Sequence, residues 1–316
     1  MQDGLTDTGG GAGALPPFFP FSQTKARSRS PMHIYLLQIL NGIGIGMIYF
    51  LIAVGLTVIF GILRFVNFAH GAFYLVGAYL AFYLIQLFDS FWLALLVSPL
   101  AVAALAWLLD RVLFHRIYHM SHDAHILVTV GIALMFQETV MAIWGPVPQH
   151  VPIPTGLDGI VILGDFVYPT YRLFVIAVAA VLAGGLWLMM ERSRIGAMLR
   201  AGSESPEMLS LLGVDTFRLF GFTFAGAAWL AAVAGTIAAP LRGVEPFMSF
   251  EALAIAFVVV VIGGLGNFTG ALAGGLMIGI VQSLMSSIWP EGARLMIYVT
   301  MLAVILLRPY GLFGRA

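Results

Sequence analysis

Long apolar stretches dominate the pattern of hydrophobic and polar positions from residue 32 onward. A bilayer-crossing helix needs about 20 apolar residues, whereas barrel strands alternate over segments of about 10, which this chain lacks. The stretches fall at about 34–60, 66–88, 91–114, 125–144, 170–190, 219–240, 251–265, 270–288 and 294–307. The seventh and ninth are short for a full span. The pattern predicts an all-α, polytopic integral membrane protein with about eight or nine transmembrane helices, some short or discontinuous.

Composition supports a membrane protein and excludes several functions. The chain is 60% hydrophobic and 9% charged, against roughly 25% charged residues in soluble domains. Its net charge of zero offers no basic surface, so no nucleic-acid partner is expected. The one lysine is Lys25, which excludes a G-x-x-x-x-G-K-[ST] phosphate loop. Any ATPase that drives this protein must therefore be another chain.

Two segments interrupt the apolar pattern. Residues 1–31 are rich in Gly, Pro, Ser and Thr, which predicts a disordered N-terminal extension. Translation starts at either Met1 or Met32, and the membrane domain covers 32–316. The five prolines within 145–169 argue against a continuous helix there.

Histidines cluster at the end of the third stretch, with helical spacings. No metal site or cofactor is predicted from them, because the only carboxylate nearby is Asp123. Contact with lipid headgroups accounts better for the histidines, which are His115, His119, His122 and His125.

Residues 191–218 hold eight of the 30 charged residues, four of them arginines. Membrane proteins retain arginine-rich loops in the cytoplasm, so we expect this loop, residues 115–124 and the C-terminal tail on that side. If nine spans alternate in direction across the membrane, the N-terminus lies outside. Lys25 and its neighbouring arginines contradict that placement unless translation starts at Met32.

A short amphipathic helix is predicted within this loop. Ser205 is suited to the N-cap, Pro206 to the first helical position, and Glu207 to the first turn. Gly213 supplies a stop, and the helical spacing places three apolar side chains on one face, Met208, Leu211 and Leu212. About two turns are not stable alone, so the helix lies either on the bilayer surface or in the groove of a cytoplasmic partner.

Several long motifs resemble one family. GLTVIFGILRFVNFAHGAFYLVGAYLA (55–81), RSRIGAMLRAGSESPEMLSLLGVD (192–215), VIGGLGNFTGALAGGLMIGI (261–280) and LRPYGLFGR (307–315) are similar to permeases of branched-chain amino-acid ABC importers of the LivH type. The resemblance covers nearly everything from Met32 onward. The wider ABC pattern E-A-A-x-x-x-G keeps Glu207 and Gly213, but Met208 and Leu209 replace its alanines.

The resemblance implies a multi-pass permease in the bacterial inner membrane, in contact with lipid. Its expected partners are a second related permease, two cytoplasmic ATP-binding subunits and a periplasmic solute-binding protein. The loop 191–218 then couples the permease to an ATPase through Glu204, Ser205, Glu207, Met208, Leu211, Leu212 and Gly213. The solute is a branched-chain amino acid or another small polar molecule, such as a different amino acid, urea or a short amide. The permease core contains either two copies of one chain or two different chains.

The main alternative is an ion-coupled secondary transporter that works alone. It would need acidic residues inside the membrane, and Glu138 is the carboxylate that falls within a span. An intramembrane enzyme is disfavoured because H-E-x-x-H and G-x-S-x-G are both absent.

Polar residues inside apolar stretches are candidates for the translocation path, because burying them unpaired is costly. These candidates are Asn67, His70, Gln137, Glu138 and Asn267. Asn67 and His70 either cap a helix or break it near the solute path, and Glu138 is either wet or faces a polar cavity. Asn-Phe precedes Gly-Ala at both 67–72 and 267–271, a possible trace of internal duplication. Small residues four apart, as at Gly275 and Gly279, favour close helix packing.

Overall fold

The computed structural model describes residues 31–63, 67–117, 120–163 and 166–314. The predicted N-terminal extension up to residue 30, with Lys25, and His119 lie outside the described residues. The chain is almost entirely helical in the described part, as the apolar pattern predicts.

The described residues up to 169 form five helices and one hairpin. The helices are α1 (Pro31–Leu63), α2 (His70–Phe88), α3 (Phe91–Leu109), α4 (His115–Ile117) and α5 (His122–Trp144), with a π-helical turn at Asp110–Phe114 before α4. The antiparallel strands β1 (Ile160–Leu163) and β2 (Phe166–Pro169) then pair Ile160 with Pro169. The proline-rich segment was expected to lack a continuous helix, but the hairpin was not foreseen.

The described residues from 170 to 314 form seven helices. They are α6 (Thr170–Arg192), α7 (Arg194–Glu204), α8 (Pro206–Leu211), α9 (Thr216–Arg242), α10 (Met248–Gly263), α11 (Phe268–Ile288) and α12 (Ala293–Leu307). A single 3₁₀ turn at Pro290–Gly292 leads into α12.

Eight helical segments of the described residues are long and apolar enough to cross a membrane. A further apolar helix, α10, corresponds to the seventh apolar stretch and has 16 residues. At about 1.5 Å per residue, this helix is shorter than a hydrocarbon layer of about 30 Å. The prediction of an all-α, polytopic membrane protein is confirmed, with eight candidate spans among the described residues against the eight or nine predicted, some of them short or discontinuous.

Among the eight long segments, α1, α2 and α9 lie in the inner part of the bundle, and the shorter helix α10 is also largely buried. The apolar windows of α1, α2 and α9 are 72%, 67% and 83% buried, against 17% for α6. Helix α9 carries an alanine-rich run, and every residue from Ala227 to Pro240 except Trp229 is buried. Because small side chains let neighbouring backbones approach closely, α9 packs against α1, α2 and α3 at the centre.

The bundle has two distinct ends. The hairpin end carries β1 and β2, and there Gln149 and Val244 exchange two backbone hydrogen bonds of 2.8 and 2.9 Å. The loop end carries residues 191–218, and the rings of His115 and Phe217 contact each other there at a tilt of 59°, with centroids 4.6 Å apart. The C-terminal tail also lies at the loop end, where the Leu312 N–H donates to the Ile262 carbonyl over 2.8 Å.

Candidate functional site

Helix α8 at the loop end has the predicted start and stop. The Met208 N–H donates to the Ser205 hydroxyl over 3.3 Å, Pro206 occupies the first turn, and Glu207 is the acidic residue there. Gly213 ends the segment with a φ of 84°, in the left-handed region that glycine adopts without strain. Local sequence therefore fixes this short helix.

The apolar side chains of α8 point in two directions. Leu209 is 4% exposed and contacts the α7 turn at Gly202, which anchors the helix to the rest of the loop. Met208, Leu211 and Leu212 are 61%, 81% and 76% exposed. Their spacing of three and four residues places these three on one face. We call Met208, Leu211 and Leu212 the α8 apolar face.

Asn67 and His70 are both fully buried where α2 begins. The Asn67 Oδ1 accepts a hydrogen bond of 3.0 Å from the Ala69 N–H, so this side chain caps the break. The His70 Nε2 lies 2.9 Å from the Ile52 carbonyl oxygen, a geometry that requires Nε2 to carry the proton. Asn67 Nδ2 and His70 Nδ1 have no hydrogen-bond partner among the described residues.

Gln137 and the first turn of α2 both lie against the same residue, Ser249. The Ser249 hydroxyl donates to the Gln137 Oε1 over 3.4 Å, and a side chain at Gly71 would collide with the Ser249 backbone. The structure thus brings the first turns of α2 and α10 and the middle of α5 together. Glu138, the next residue, is exposed on α5 instead.

Asn267 lies away from this group, at the loop end. Its Oδ1 accepts from the Gly270 N–H over 2.9 Å, and its Nδ2 donates to the Phe313 carbonyl over 3.0 Å. The side chain therefore caps α11 and holds the C-terminal tail. Both Asn-Phe segments carry an asparagine that accepts a backbone hydrogen bond just before or at the start of a helix.

Sequence reasoning missed a charged cavity toward the hairpin end. Arg242, Glu245 and Glu251 line it together with Tyr49 and Tyr74. One signal was available in the sequence: Arg242 ends a span on the side predicted to be outside, against the positive-inside tendency. The contact of Arg242 with Tyr49, 193 positions earlier, had no local signal.

Comparisons with known proteins show the family to which the chain belongs. Residues 38–305 match the family described as branched-chain amino acid transport system / permease component. The chain belongs to this permease family. The matched residues include all of α2 to α11 and most of α1 and α12.

The similarity to curated relatives extends over most of this chain and most of each relative. The permease protein BraD of a high-affinity branched-chain amino acid transport system, from Pseudomonas aeruginosa, is 31% identical over 297 residues, 89% of this chain and 96% of BraD. LivH of Escherichia coli K12 is 31% identical over 299 residues, 89% of this chain and 96% of LivH. A probable LivH of Methanocaldococcus jannaschii is 28% identical over 289 residues, 84% of this chain and 88% of that protein. No solved structure matched the chain.

Proposed function

We propose that this chain is the membrane permease subunit of an ATP-driven importer. It forms the translocation path for branched-chain amino acids or related small polar solutes, which a periplasmic solute-binding protein delivers. Membership of the permease family supports this proposal, and the names of BraD and LivH suggest the solute. The family match does not favour an ion-coupled transporter that works alone.

The observation that carries the proposal is the α8 apolar face. A capped helix that buries Leu209 while exposing Met208, Leu211 and Leu212 is suited to insert its exposed side chains into a groove of another protein. Coupling occurs here, with Glu204, Ser205, Glu207 and Gly213 setting the position and ends of the helix. ATP hydrolysis takes place on the subunit that receives this face.

The complete importer contains two ATP-binding subunits, a second related permease and the solute-binding protein. The loop end faces the cytoplasm and the hairpin end faces the periplasm, within the bacterial inner membrane. Closure of the ATP-binding subunits pulls on α8, and the spans then rock to open the path alternately to either side.

Site-directed crosslinking tests the proposal. The chain has no cysteine, so one introduced cysteine provides its single reactive thiol. Leu211→Cys should crosslink to an ATP-binding subunit when membranes are treated with a short bifunctional maleimide. Val181→Cys is the control, since Val181 is 73% exposed in the middle of the α6 span. Mass spectrometry identifies the crosslinked chain.

Transport separates the proposal from the ion-coupled alternative. The co-purified assembly in liposomes should accumulate leucine only with ATP and the solute-binding protein. Crosslinks from Leu211→Cys that contain no ATP-binding subunit would contradict the proposal. So would uptake by the isolated chain under an ion gradient without ATP.

A further inference from the structure

A cavity of about 50 Å³ lies between α1, α2, α9 and α10, toward the hairpin end. That enclosed volume is room for about four water molecules, and the cavity opens outward past the exposed side chains of Arg242 and Glu245. Its lining combines a guanidinium, two carboxylates and two tyrosines with aliphatic side chains. Arg242 ends α9 and Glu251 lies in the first turn of α10, so the cavity brings opposite charges together where these two helices meet.

The cationic side of the cavity is Arg242 at the end of α9. Its Nη2 donates a hydrogen bond of 2.9 Å to the Tyr49 hydroxyl, and that hydroxyl donates over 2.7 Å to the Gln282 Oε1. The guanidinium also lies 5.6 Å from the centroid of the Tyr49 ring. Tyr49, which is itself bonded to Gln282, therefore orients the Arg242 guanidinium.

The donors of Arg242 are not saturated. The hydrogen bond to Tyr49 is the one it makes within the described ranges, and no carboxylate oxygen in those ranges lies within 4 Å of it. A guanidinium has further N–H donors in a planar fork, which match the two oxygens of a carboxylate. An anionic group in the cavity would complete this arrangement.

The anionic side of the cavity is Glu251, in the first turn of α10. Its carboxylate lies 3.7 Å from the Arg294 guanidinium, whose side chain is 78% exposed. Such a long pair with a solvated partner contributes little. Glu251 can therefore accept hydrogen bonds from an ammonium group.

Aliphatic side chains complete the lining. Ile255 follows Glu251 by one helical turn on α10, and Ile52 follows Tyr49 by about one turn on α1. Glu251 and Tyr49 are thus each followed, along their own helix, by a branched apolar side chain that lines the cavity. A ligand held at both charges would place its own apolar part against these isoleucines.

We propose that this cavity binds a zwitterionic α-amino acid with a branched apolar side chain. Arg242 and Tyr49 hold the carboxylate, Glu251 holds the ammonium, and Ile52 and Ile255 contact the side chain. The permease itself then discriminates amino acids from uncharged solutes such as urea and short amides. The inference rests on the proposed function and adds a selective step inside the membrane subunit.

Equilibrium binding tests the site without the solute-binding protein, so that selectivity outside this chain does not contribute. The protein, with the subunits that co-purify with it, is placed in lipid nanodiscs and titrated with radiolabelled L-leucine. Unlabelled L-leucinamide, which lacks the carboxylate, and 4-methylpentanoate, which lacks the ammonium, should each compete at least tenfold more weakly than L-leucine. Equal competition by all three would overturn the proposal, as would the absence of saturable binding.

Paired variants assign each end of the ligand. Arg242→Gln should weaken leucine binding at least tenfold and reduce the preference for leucine over leucinamide. Glu251→Gln should weaken leucine binding similarly and reduce the preference over 4-methylpentanoate. Arg242→Lys keeps the charge and should recover part of the affinity if Arg242→Gln lowers the yield of folded protein. Unchanged competition profiles in these variants would refute the assignment.

Arg294→Gln and Arg218→Gln are the matched controls. The first removes the neighbour of Glu251 and the second removes an exposed arginine at the loop end, so both should bind leucine normally. The proposed function fails separately: normal leucine binding in nanodiscs without ATP-dependent uptake would contradict the importer but leave the site. ATP-dependent uptake without leucine binding would contradict the site but leave the importer.

Discussion

Gly46 of α1 and Gly275 of α11 face each other across a contact that leaves no space for a side chain. A Cβ on Gly46 would lie 2.7 Å from the Gly275 carbonyl oxygen, and a Cβ on Gly275 would lie 2.9 Å from the Gly46 carbonyl oxygen. One turn away, a Cβ on Gly42 would lie 2.9 Å from the Gly279 carbonyl oxygen. Two pairs of glycines thus bring two antiparallel spans into backbone contact, as small residues four apart allow.

Gly275→Val should separate α1 from α11 and destabilise the bundle. Overpacking a close contact costs about 1–3 kcal/mol or more, because the obstructing atoms belong to backbone rather than to flexible side chains. The measurement is the midpoint of thermal unfolding in detergent, together with the yield of monodisperse protein.

The control for this prediction is Gly184→Val, which places the same side chain on α6, where nothing lies within 4 Å of the new Cβ. Both substitutions put valine inside a helix, so differences in helix propensity cancel. Equal midpoints for the two variants would show that the glycine contact contributes no stability.

Leu211→Asp should abolish substrate-stimulated ATP hydrolysis while leaving membrane insertion intact. The substitution puts a charge on the α8 apolar face, where docking would bury it without a partner. Ser210→Asp is the control, because it adds the same charge at an adjacent exposed position outside that face. Normal hydrolysis in Leu211→Asp assemblies would remove α8 from the coupling mechanism.

Asn267→Ala should loosen both the first turn of α11 and the C-terminal tail. Loss of an N-cap costs about 1 kcal/mol, and the Phe313 carbonyl loses its donor as well. Hydrogen exchange should accelerate at Gly270 and in the tail. Thr269→Ala, at an exposed position in the same turn, should leave both segments protected, and similar exchange in the two variants would argue against the double role.

Glu138→Gln should change transport more than assembly. The substitution removes the charge of an exposed carboxylate on α5 but keeps its shape, so the yield of the complex should be unaffected. Initial rates of leucine uptake measure the effect, with Thr139→Ala as the control on the same exposed turn. Uptake kinetics equal to those of the unaltered protein would place Glu138 at the wet end of its span, outside the path.

Features set by neighbouring residues could be predicted from the sequence. The cap of α8 at Ser205, its stop at Gly213 and the shared face of Met208 and Leu211 all depend on contacts within one or two helical turns. The number of spans was predictable only as eight or nine, because crossing a bilayer imposes a length and a composition that recur along the chain, and two of the apolar stretches were short.

Features that join distant segments could not be predicted in this way. Spans such as α6 and α9 are both apolar on every side, so periodicity gives no sign of which one lies inside the bundle. The hydrogen bond between Arg242 and Tyr49 joins positions 193 apart. Asn267 was considered for the path because it interrupts an apolar stretch, and its bond to the tail depends on where residue 313 folds back.

The C-terminal tail also affects how the protein can be engineered. The N–H groups of Leu312 and Phe313 donate to the carbonyls of Ile262 and Gly263, two acceptors that the last turn of α10 leaves without a helical partner. A chain trimmed after Tyr310 would therefore deprive α10 of both donors, whereas an affinity tag fused behind Ala316 adds residues without removing either one. Shortening the C-terminus to aid crystallisation would thus weaken the end of α10 that lies at the loop end of the bundle.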